Sequence, residues 1–207
     1  MARVYFYKLT TDDGGAPCVQ DGLLSLAICK PMIRSTGEVG DLIFGFAANS
    51  LHADNRLLYI ARVTAKARNG EYYTTEKFAH RGDCIYERRG NRFLWREGAL
   101  HHGPGHIAHD LGEPPYYAKA NVLLSDDFGY FGRRGSSNYK AQYPLIKYAL
   151  EHLGRGHRVR HDELLRIELL ALARQVWKET RQMVAGEQTS KPHRGACHRG
   201  RSCGVLG

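Results

Sequence analysis

Residues 27–67 read AICKPMIRSTGEVGDLIFGFAANSLHADNRLLYIARVTAKA and decide the fold. Residues 42–47 and 57–64 are short runs of aliphatic and aromatic residues bounded by turn-forming residues, a pattern that predicts two β-strands. The first run follows Val39-Gly40-Asp41, where glycine accepts a positive φ and aspartate can bond the turn backbone. We therefore predict a β-hairpin. Its long polar connection, residues 48–56, is the kind of loop that carries binding groups.

The alternation of apolar and polar residues in these runs predicts how deeply each strand of the hairpin is buried. Alternate residues of the first run are apolar on both faces, so we expect that strand inside a covered sheet. In the second run, strict alternation predicts that Leu57 and Tyr59 share a face with Ala61 and Val63. The opposite face begins at Leu58 and ends in polar residues.

Five blocks along the chain carry a resemblance to a known family. They are Cys29-Lys30-Pro31-Met32-Ile33-Arg34, Val39-Gly40-Asp41, Leu58-Tyr59-Ile60-Ala61-Arg62-Val63-Thr64, Arg81-Gly82-Asp83-Cys84-Ile85-Tyr86 and Val122-Leu123-Leu124-Ser125-Asp126-Asp127-Phe128-Gly129-Tyr130-Phe131-Gly132. In this order they resemble the second family of nucleotide modification associated domains, and the hairpin is similar to that of PUA, ASCH, EVE and YTH domains. The resemblance implies an α+β fold, a PUA-like small mixed β-barrel with C-terminal helices, beside systems that modify or restrict DNA bases. It carries no catalytic residues to this chain.

Length and composition predict one domain in the cytoplasm. We assign residues 1–185 to a single domain that ends in two helices, residues 141–153 and 162–185, and residues 186–207 to a disordered basic tail. The longer helix has an apolar stripe that includes Trp177 and offers a surface for a protein partner. The chain has no apolar run of the roughly 18 residues that a membrane span needs, and no secretory h-region. Five dispersed cysteines favour reduced thiols over a disulfide framework.

The middle of the chain is predicted to contain more loops than strands. We expect residues 66–77 to form a loop or short helix that exposes Tyr72 and Tyr73. A strand is predicted at residues 84–86. Residues 98–115, rich in glycine and proline, are expected to form a long loop, and residues 126–135 a turn.

The charge balance favours a polyanionic partner. Thirty Lys and Arg residues against 21 Asp and Glu residues give a net charge of +9. Four basic residues and Glu187 leave residues 186–207 at +3, so the remaining +6 lies in residues 1–185. Basic surfaces bind nucleic acid by releasing counterions from its phosphates, which makes DNA with a modified base, or a free modified nucleotide, the expected ligand.

Recognition of a base outside its stack requires aromatic faces, polar groups for the base edge and cations for the phosphates. Near the hairpin we predict stacking by Trp95, Tyr59, Tyr130 and Phe131, phosphate contacts by Lys30, Arg34, Arg62, Arg133 and Arg134, and edge recognition by Asn49, Ser50, Asp83 and Ser125. The alternative is that Tyr59 and Phe131 fill the core and that Arg133 and Arg134 lie in a solvated loop. No cofactor is predicted for this binding role.

A metal-dependent enzyme that processes nucleotides or DNA is the alternative function. The segment HHGPGHIAHD supplies His101, His102, His106, His109 and Asp110, whose side chains could ligate zinc, iron or manganese and act with Asp83. The glycines and proline of this segment remove the helical face that many metal sites use, so we assign no metal. Asp83 has a simpler interpretation as a turn acceptor.

Cys29 has two interpretations. A thiol beside a lysine can act as a nucleophile, but a small buried apolar side chain is the commoner role of a cysteine. We therefore predict a structural role for Cys29. The catalytic residues of an enzyme, if the chain is one, are not identified from the sequence.

Overall fold

The computed structural model describes residues 2–154 and 156–183. Within them the strands are β1 (Val4–Leu9), β2 (Cys18–Gln20), β3 (Leu23–Leu26), β4 (Leu42–Ala47), β5 (Leu57–Arg62), β6 (Ala65–Ala67), β7 (Tyr86–Arg89), β8 (Arg92–Trp95), β9 (Val122–Ser125), β10 (Asp127–Tyr130) and β11 (His157–Arg158). The helices are α1 (Pro31–Thr36), α2 (Glu71–Thr74), α3 (Ile107–Leu111), α4 (Tyr139–Gln142), α5 (Pro144–Glu151) and α6 (Glu163–Met183), with 3-10 turns at Glu76–Phe78, Pro104–His106 and Gly132–Arg134.

The strands form two larger sheets and a separate hairpin. The first sheet has the order β10-β5-β4-β1-β11 and contains one parallel pair, β1 with β4. The second has the order β2-β3-β9-β6 and is antiparallel, and β7 pairs with β8 alone. The mixed α+β class predicted from the sequence is confirmed. Across residues 2–154 and 156–183 no strand pairing closes a sheet into a barrel, so the PUA-like barrel is not confirmed.

Three clusters of buried apolar side chains lie between the layers of the molecule. Helices α5 and α6 cover one face of the first sheet, where Phe6, Phe44 and Ile60 pack against Leu169 and Leu172. The opposite face packs against the second sheet, as Tyr7 and Leu58 share a cluster with Leu26 and Leu123. A third cluster joins α2, α3 and the β7–β8 hairpin to the far side of the second sheet. The order of layers is therefore helices, sheet, sheet and a cap of small elements.

The predicted hairpin is confirmed as β4 and β5, and β4 is buried along its whole length. The register shifts at Phe46, because Gly45 lies opposite Tyr59 whereas Phe46 lies opposite Leu57. This bulge places Leu57 with the helix-side cluster and Leu58 with Tyr59 in the cluster between the sheets. The predicted pairing of Leu57 and Tyr59 on one face is therefore wrong. Gly45 is required there, because a Cβ atom would collide with the Tyr59 ring.

Several loop predictions are wrong because polar groups find partners inside the protein. Tyr72 and Tyr73 are buried, and their hydroxyls donate to the Asp83 carboxylate and the Ala27 carbonyl. The predicted turn at residues 126–135 contains β10, which pairs with β5. The predicted loop at residues 98–115 contains α3, and the strand expected at residues 84–86 begins only at Tyr86.

The C-terminal helices agree with the prediction in kind. The segment predicted as one helix over residues 141–153 is split into α4 and α5, which Pro144 begins. The long helix is confirmed as α6. The predicted disordered tail, residues 186–207, lies outside the described residues. No helix in the described part of the chain is long and apolar enough to cross a membrane.

Candidate catalytic cysteine site

Asp110, on α3, is the centre of a buried polar site in the cap of small elements. Its carboxylate is fully buried and accepts hydrogen bonds on both oxygens. Oδ1 accepts from the Cys29 backbone N–H at 3.0 Å and from His109 Nδ1 at 3.2 Å. Oδ2 accepts from the Tyr86 hydroxyl at 2.7 Å and from His102 Nδ1 at 2.6 Å. Because a carboxylate only accepts, the Nδ1 atom of His102 carries a proton.

The other ring nitrogen of His102 contacts the sulfur of Cys29. The distance from Nε2 to Sγ is 3.3 Å, and Cys29 is partly exposed. Sulfur, imidazole and carboxylate therefore form one hydrogen-bonded chain from Cys29 through His102 to Asp110. In such a chain the carboxylate fixes the tautomer and orientation of the imidazole, and the imidazole exchanges a proton with the nucleophile.

The backbone around the sulfur is held in an uncommon conformation. Cys29 and Lys30 have φ values of 55° and 41°, and His102 has a φ of 54°. Left-handed conformations of residues with side chains cost about 1–3 kcal/mol each and cluster at functional sites. The two consecutive left-handed residues turn the chain from β3 into α1, which Pro31 begins at its first position.

Arg34 fixes this turn from inside the protein. Its side chain is fully buried, and Nε donates to the Cys29 carbonyl at 2.7 Å. The terminal nitrogens donate to the carbonyls of Lys119 and Asn121, both at 2.8 Å, and of Asp110 at 2.7 Å. The sequence prediction placed Arg34 against phosphate, whereas here its guanidinium is bonded to four main-chain carbonyls. Arg34 is a positioning residue of the cysteine site.

The hydrogen bonds shift the pKa values of both His102 and Asp110. The bonds that His102 makes with Asp110 and then Cys29 raise the pKa of the imidazole to about 10, although burial opposes this shift. Burial acts to raise the pKa of the Asp110 carboxyl, but its bonds with His102 and Tyr86 outweigh burial and lower this pKa to about 2. At neutral pH the site therefore holds an imidazolium between a carboxylate and a sulfur atom.

The raised pKa of His102 predicts a loss of stability at alkaline pH. The pKa of His102 is raised from its ordinary value of 6.5 to about 10 in the folded protein. The stability that the protonated imidazole contributes is therefore fully present below pH 6.5 and is lost as pH rises through about 10. We expect the difference in unfolding free energy between the wild type and His102→Gln to decrease over this range. Urea unfolding of both proteins at a series of pH values measures it, and a constant difference would contradict the ion pair.

The predicted cations lie in three separate places. Lys30 places its ammonium 4.8 Å from the centroid of the Tyr7 ring, and burial lowers its pKa. Arg62 bonds Asp127 at 3.0 Å, on the helix side of the first sheet. Arg133 and Arg134 are exposed, and their carbonyls contact His52 Nε2 at 2.6 Å and Arg56 Nη1 at 3.1 Å. Asn49 and Ser50 are exposed and belong to the same loop as His52.

The predicted stacking residues do not converge on one cavity. Tyr59 is fully buried and its hydroxyl shares a 2.8 Å hydrogen bond with that of Tyr7. Phe131 packs against the helix-side cluster. Tyr130 donates to Asp12 at 2.9 Å. Trp95 is half-buried against the third cluster and donates to the His101 carbonyl at 3.2 Å, which places it next to the cysteine site.

Three of the predicted edge-reading residues make hydrogen bonds within the protein, and one of them, the exposed Asn49, accepts from Asn55 Nδ2 at 2.8 Å. Asp83 is fully buried and accepts from Ser25 at 2.5 Å and from Tyr72 at 2.6 Å, with Arg81 at 3.7 Å. Burial raises the pKa of Asp83, and the bonds from Ser25 and Tyr72 oppose that shift. The hydroxyl of Ser125 donates to the Asp127 carbonyl at 2.9 Å. Asp83 therefore serves a packed polar network rather than an open site.

The histidine segment contributes side chains to the cysteine site. The His106 ring stacks on His102 with 4.7 Å between centroids, and His101 lies 4.0 Å from Asp13. Among the residues that the structure describes, no group of three or more His, Cys, Asp or Glu side chains is arranged to hold a metal ion.

The sequence analysis considered Cys29, His102 and Asp110 separately. It did not predict that these three side chains contact one another. Cys29 is predicted to be structural because a small buried apolar side chain is the commoner role of a cysteine. The sequence did not show its partners, since His102 is 73 residues away and Asp110 81 residues away. The sequence did contain two relevant patterns, a cysteine just before a proline turn and the histidine-rich segment of residues 101–110. Neither pattern alone indicates nucleophilic chemistry.

The fold and the site together define a mixed α+β protein with the cysteine–histidine–aspartate arrangement that thiol nucleophiles use. The chain belongs to the nucleotide modification associated domain 2 family, whose model matches residues 1–182. The family resemblance predicted from the sequence is confirmed, and it indicates a role in nucleotide modification systems; the placement among PUA and EVE domains is not confirmed. No curated protein and no solved structure matches the chain.

Proposed function

We propose that this protein is a cysteine-dependent acyl-transfer enzyme of a nucleotide modification system, with Cys29 as the nucleophile. The observation that carries the proposal is the chain of contacts from Cys29 Sγ to His102 Nε2 at 3.3 Å and from His102 Nδ1 to Asp110 Oδ2 at 2.6 Å. The substrate class is an amide or ester carbonyl carried by a nucleobase, nucleotide or nucleic acid. The family supports the nucleotide part of this proposal.

In the first half of the reaction the Cys29 sulfur attacks the carbonyl carbon as a thiolate. An imidazolium that donates to sulfur stabilises a thiolate, and His102 is protonated at neutral pH because its pKa is about 10. A carbon–sulfur bond forms and the carbonyl π electrons move to oxygen. When the oxyanion collapses, the carbon–nitrogen or carbon–oxygen bond breaks, and the proton on His102 Nε2 passes to the leaving amine or alcohol.

In the second half the thioester is released. His102 is then neutral, and its Nε2 takes a proton from water or from an acceptor amine as that group attacks the thioester carbon. The carbon–sulfur bond breaks and the electron pair returns to sulfur, which restores the imidazolium and thiolate pair. Asp110 keeps the imidazole oriented in both halves, and Tyr86 holds the carboxylate through its hydroxyl.

Substrate recognition draws on sequence-predicted residues that are exposed or half-buried. We propose Trp95, beside the site, as a stacking group, and Lys30, adjacent to Cys29 in the chain, as a contact to substrate phosphate. Arg133 and Arg134, with the nearby loop of Asn49 and Ser50, are proposed contacts to the flanking nucleic acid. Base recognition by these groups is a separate part of the proposal from the thiol chemistry.

The test uses an activated ester, because the natural acyl group is unidentified. Cys197 and Cys203 are changed to serine to remove the tail thiols, and the protein is treated with p-nitrophenyl acetate. We expect one equivalent of acetyl on Cys29, found by intact mass and peptide mapping, and a matching burst of nitrophenol. Acetylated nucleobase amines, such as N4-acetyldeoxycytidine, are then tested for release of acetate.

The remaining cysteines provide an internal control. Cys18 and Cys84 are buried, and burial raises their pKa to about 12 and about 11, so both thiols should stay unmodified while the protein is folded. Cys29→Ser should abolish the burst without changing the circular dichroism spectrum. Acetylation of Cys29 no faster than that of the same chain in denaturant would overturn the proposal.

A further inference from the structure

A second candidate site lies on the opposite side of the molecule from Cys29. A groove of about 230 Å³ lies between the start of β1 and β4 and one flank of α6. Val4 and Leu42 supply an apolar floor, and Arg62, Arg166, Arg174 and Trp177 line the sides. The groove borders the helix layer, whereas Cys29 packs beyond the second sheet.

The groove is cationic. Three arginine side chains line it, and no carboxylate is among the described residues that line it. Arg166 is anchored by a 2.7 Å hydrogen bond from Nη2 to the Ala2 carbonyl. Arg174 is exposed, and its side chain makes no hydrogen bond or ion pair with any residue in the described part of the chain. An arginine without an internal partner keeps its full set of planar donors for a ligand.

Arg62 and Trp177 are held in place by one carboxylate. The Oδ2 atom of Asp127 accepts from Arg62 Nε at 3.0 Å, and Oδ1 accepts from the Trp177 indole N–H at 2.5 Å. The Arg62 guanidinium consequently lies over the indole ring, with 5.3 Å from Cζ to the ring centroid. Only Nε of Arg62 is bonded to Asp127, so the two terminal nitrogens of this anchored guanidinium keep donors for a ligand. Such preorganisation lowers the entropy lost on binding.

We infer that this groove binds the phosphodiester backbone of a nucleic acid. Planar guanidinium groups match the paired oxygens of phosphate, and three of them around a space of this size fit a single backbone phosphate and its neighbours. The net charge of +9 favours a long polyanion over a small neutral ligand. The sequence prediction included Arg62 but not its partners on α6, which was assigned to a protein partner.

The groove and the cysteine site have separable roles. The groove lies across both sheets from Cys29, so it would anchor a strand whose distant portion reaches the thiol. The inference does not depend on acyl transfer. Arginine variants of the groove should bind nucleic acid weakly and still acetylate Cys29 at the wild-type rate, whereas Cys29→Ser should bind normally.

The test measures the binding of fluorescein-labelled single-stranded and duplex oligonucleotides by anisotropy at several salt concentrations. We expect Arg174→Gln to weaken binding by roughly three- to tenfold, and to reduce the slope of log K against log salt by about one phosphate contact. Arg62→Gln should act similarly. The exposed Arg92 on β8, outside the groove, provides the matched control, and Arg92→Gln should keep both affinity and slope.

Two results would overturn the inference. One is a wild-type affinity and salt slope in both Arg62→Gln and Arg174→Gln. The other is competition by polyglutamate of the same charge as strong as that by unlabelled oligonucleotide, since this would indicate a general acidic ligand rather than phosphate. The comparison of single strand with duplex shows which form of the backbone the groove accepts.

Discussion

Replacement of His102 by alanine is expected to slow the acetylation of Cys29 by roughly 10²- to 10⁴-fold at neutral pH, which is the range that a positioned acid–base group contributes. His102 is the side chain whose nitrogen contacts the sulfur, at 3.3 Å. Without it the attacking sulfur loses the imidazolium that contacts it. Single-turnover acetylation by p-nitrophenyl acetate, followed by mass spectrometry, measures the rate directly.

His109 provides the matched control for this change. It is also a histidine bonded to Asp110, at 3.2 Å, but on the other oxygen and with an exposed side chain. His109→Ala should therefore leave the acetylation rate within about threefold of the wild type, because surface substitutions away from the reacting atoms have small effects. Equal losses in His102→Ala and His109→Ala would mean that the histidines act only through the fold.

Asp110→Asn tests whether Asp110 affects proton transfer by His102 or only supports the fold. The amide can still accept from the Cys29 backbone, but it loses the charge that raises the His102 pKa. We expect the alkaline limb of the pH–rate profile to shift to lower pH, together with a lower maximum rate. A purely structural role for Asp110 would change the amount of folded protein and leave the profile unmoved.

The local parts of the fold were predictable because their signals are local. The β4–β5 hairpin and α6 follow from hydrophobic periodicity within single segments. Strand β10 was interpreted as a turn because the aromatic and glycine residues around Gly129 resemble turn chemistry, and pairing with β5 overrides that preference. The bulge at Phe46 lies next to Gly45, which the Tyr59 ring covers closely. Hydrophobic periodicity carries no information about such a contact.

The candidate site was harder to predict because polar side chains there are buried. Arginine is mostly exposed in proteins and tyrosine is intermediate in burial, so a sequence does not predict that either is fully buried. Arg34 and Tyr73 are nevertheless buried, because main-chain carbonyls accept their hydrogen bonds, and those carbonyls are brought together only by the complete fold. The same assembly joins Cys29 to Asp110 across 81 residues.

Arg34→Met is expected to lower the free energy of unfolding by roughly 3–5 kcal/mol, a large part of the 5–15 kcal/mol typical of a domain. Methionine fills a similar volume, but four main-chain carbonyls would lose their donors inside the protein. Arg34→Lys keeps the charge and should still lose most of this stability, because an ammonium cannot reach carbonyls in several directions as the guanidinium does. Urea unfolding at neutral pH measures both changes.

A surface arginine provides the comparison for Arg34. Arg3 is 43% exposed and bonds Asp41 through Nε at 3.1 Å, so Arg3→Met should cost only about 0–1 kcal/mol, as exposed ion pairs do. If Arg34 served a nucleic acid phosphate, as its sequence position suggested, Arg34→Met would weaken oligonucleotide binding and leave unfolding unchanged. Loss of stability together with slower acetylation of Cys29 would instead show that Arg34 holds the left-handed turn at which the thiol is presented.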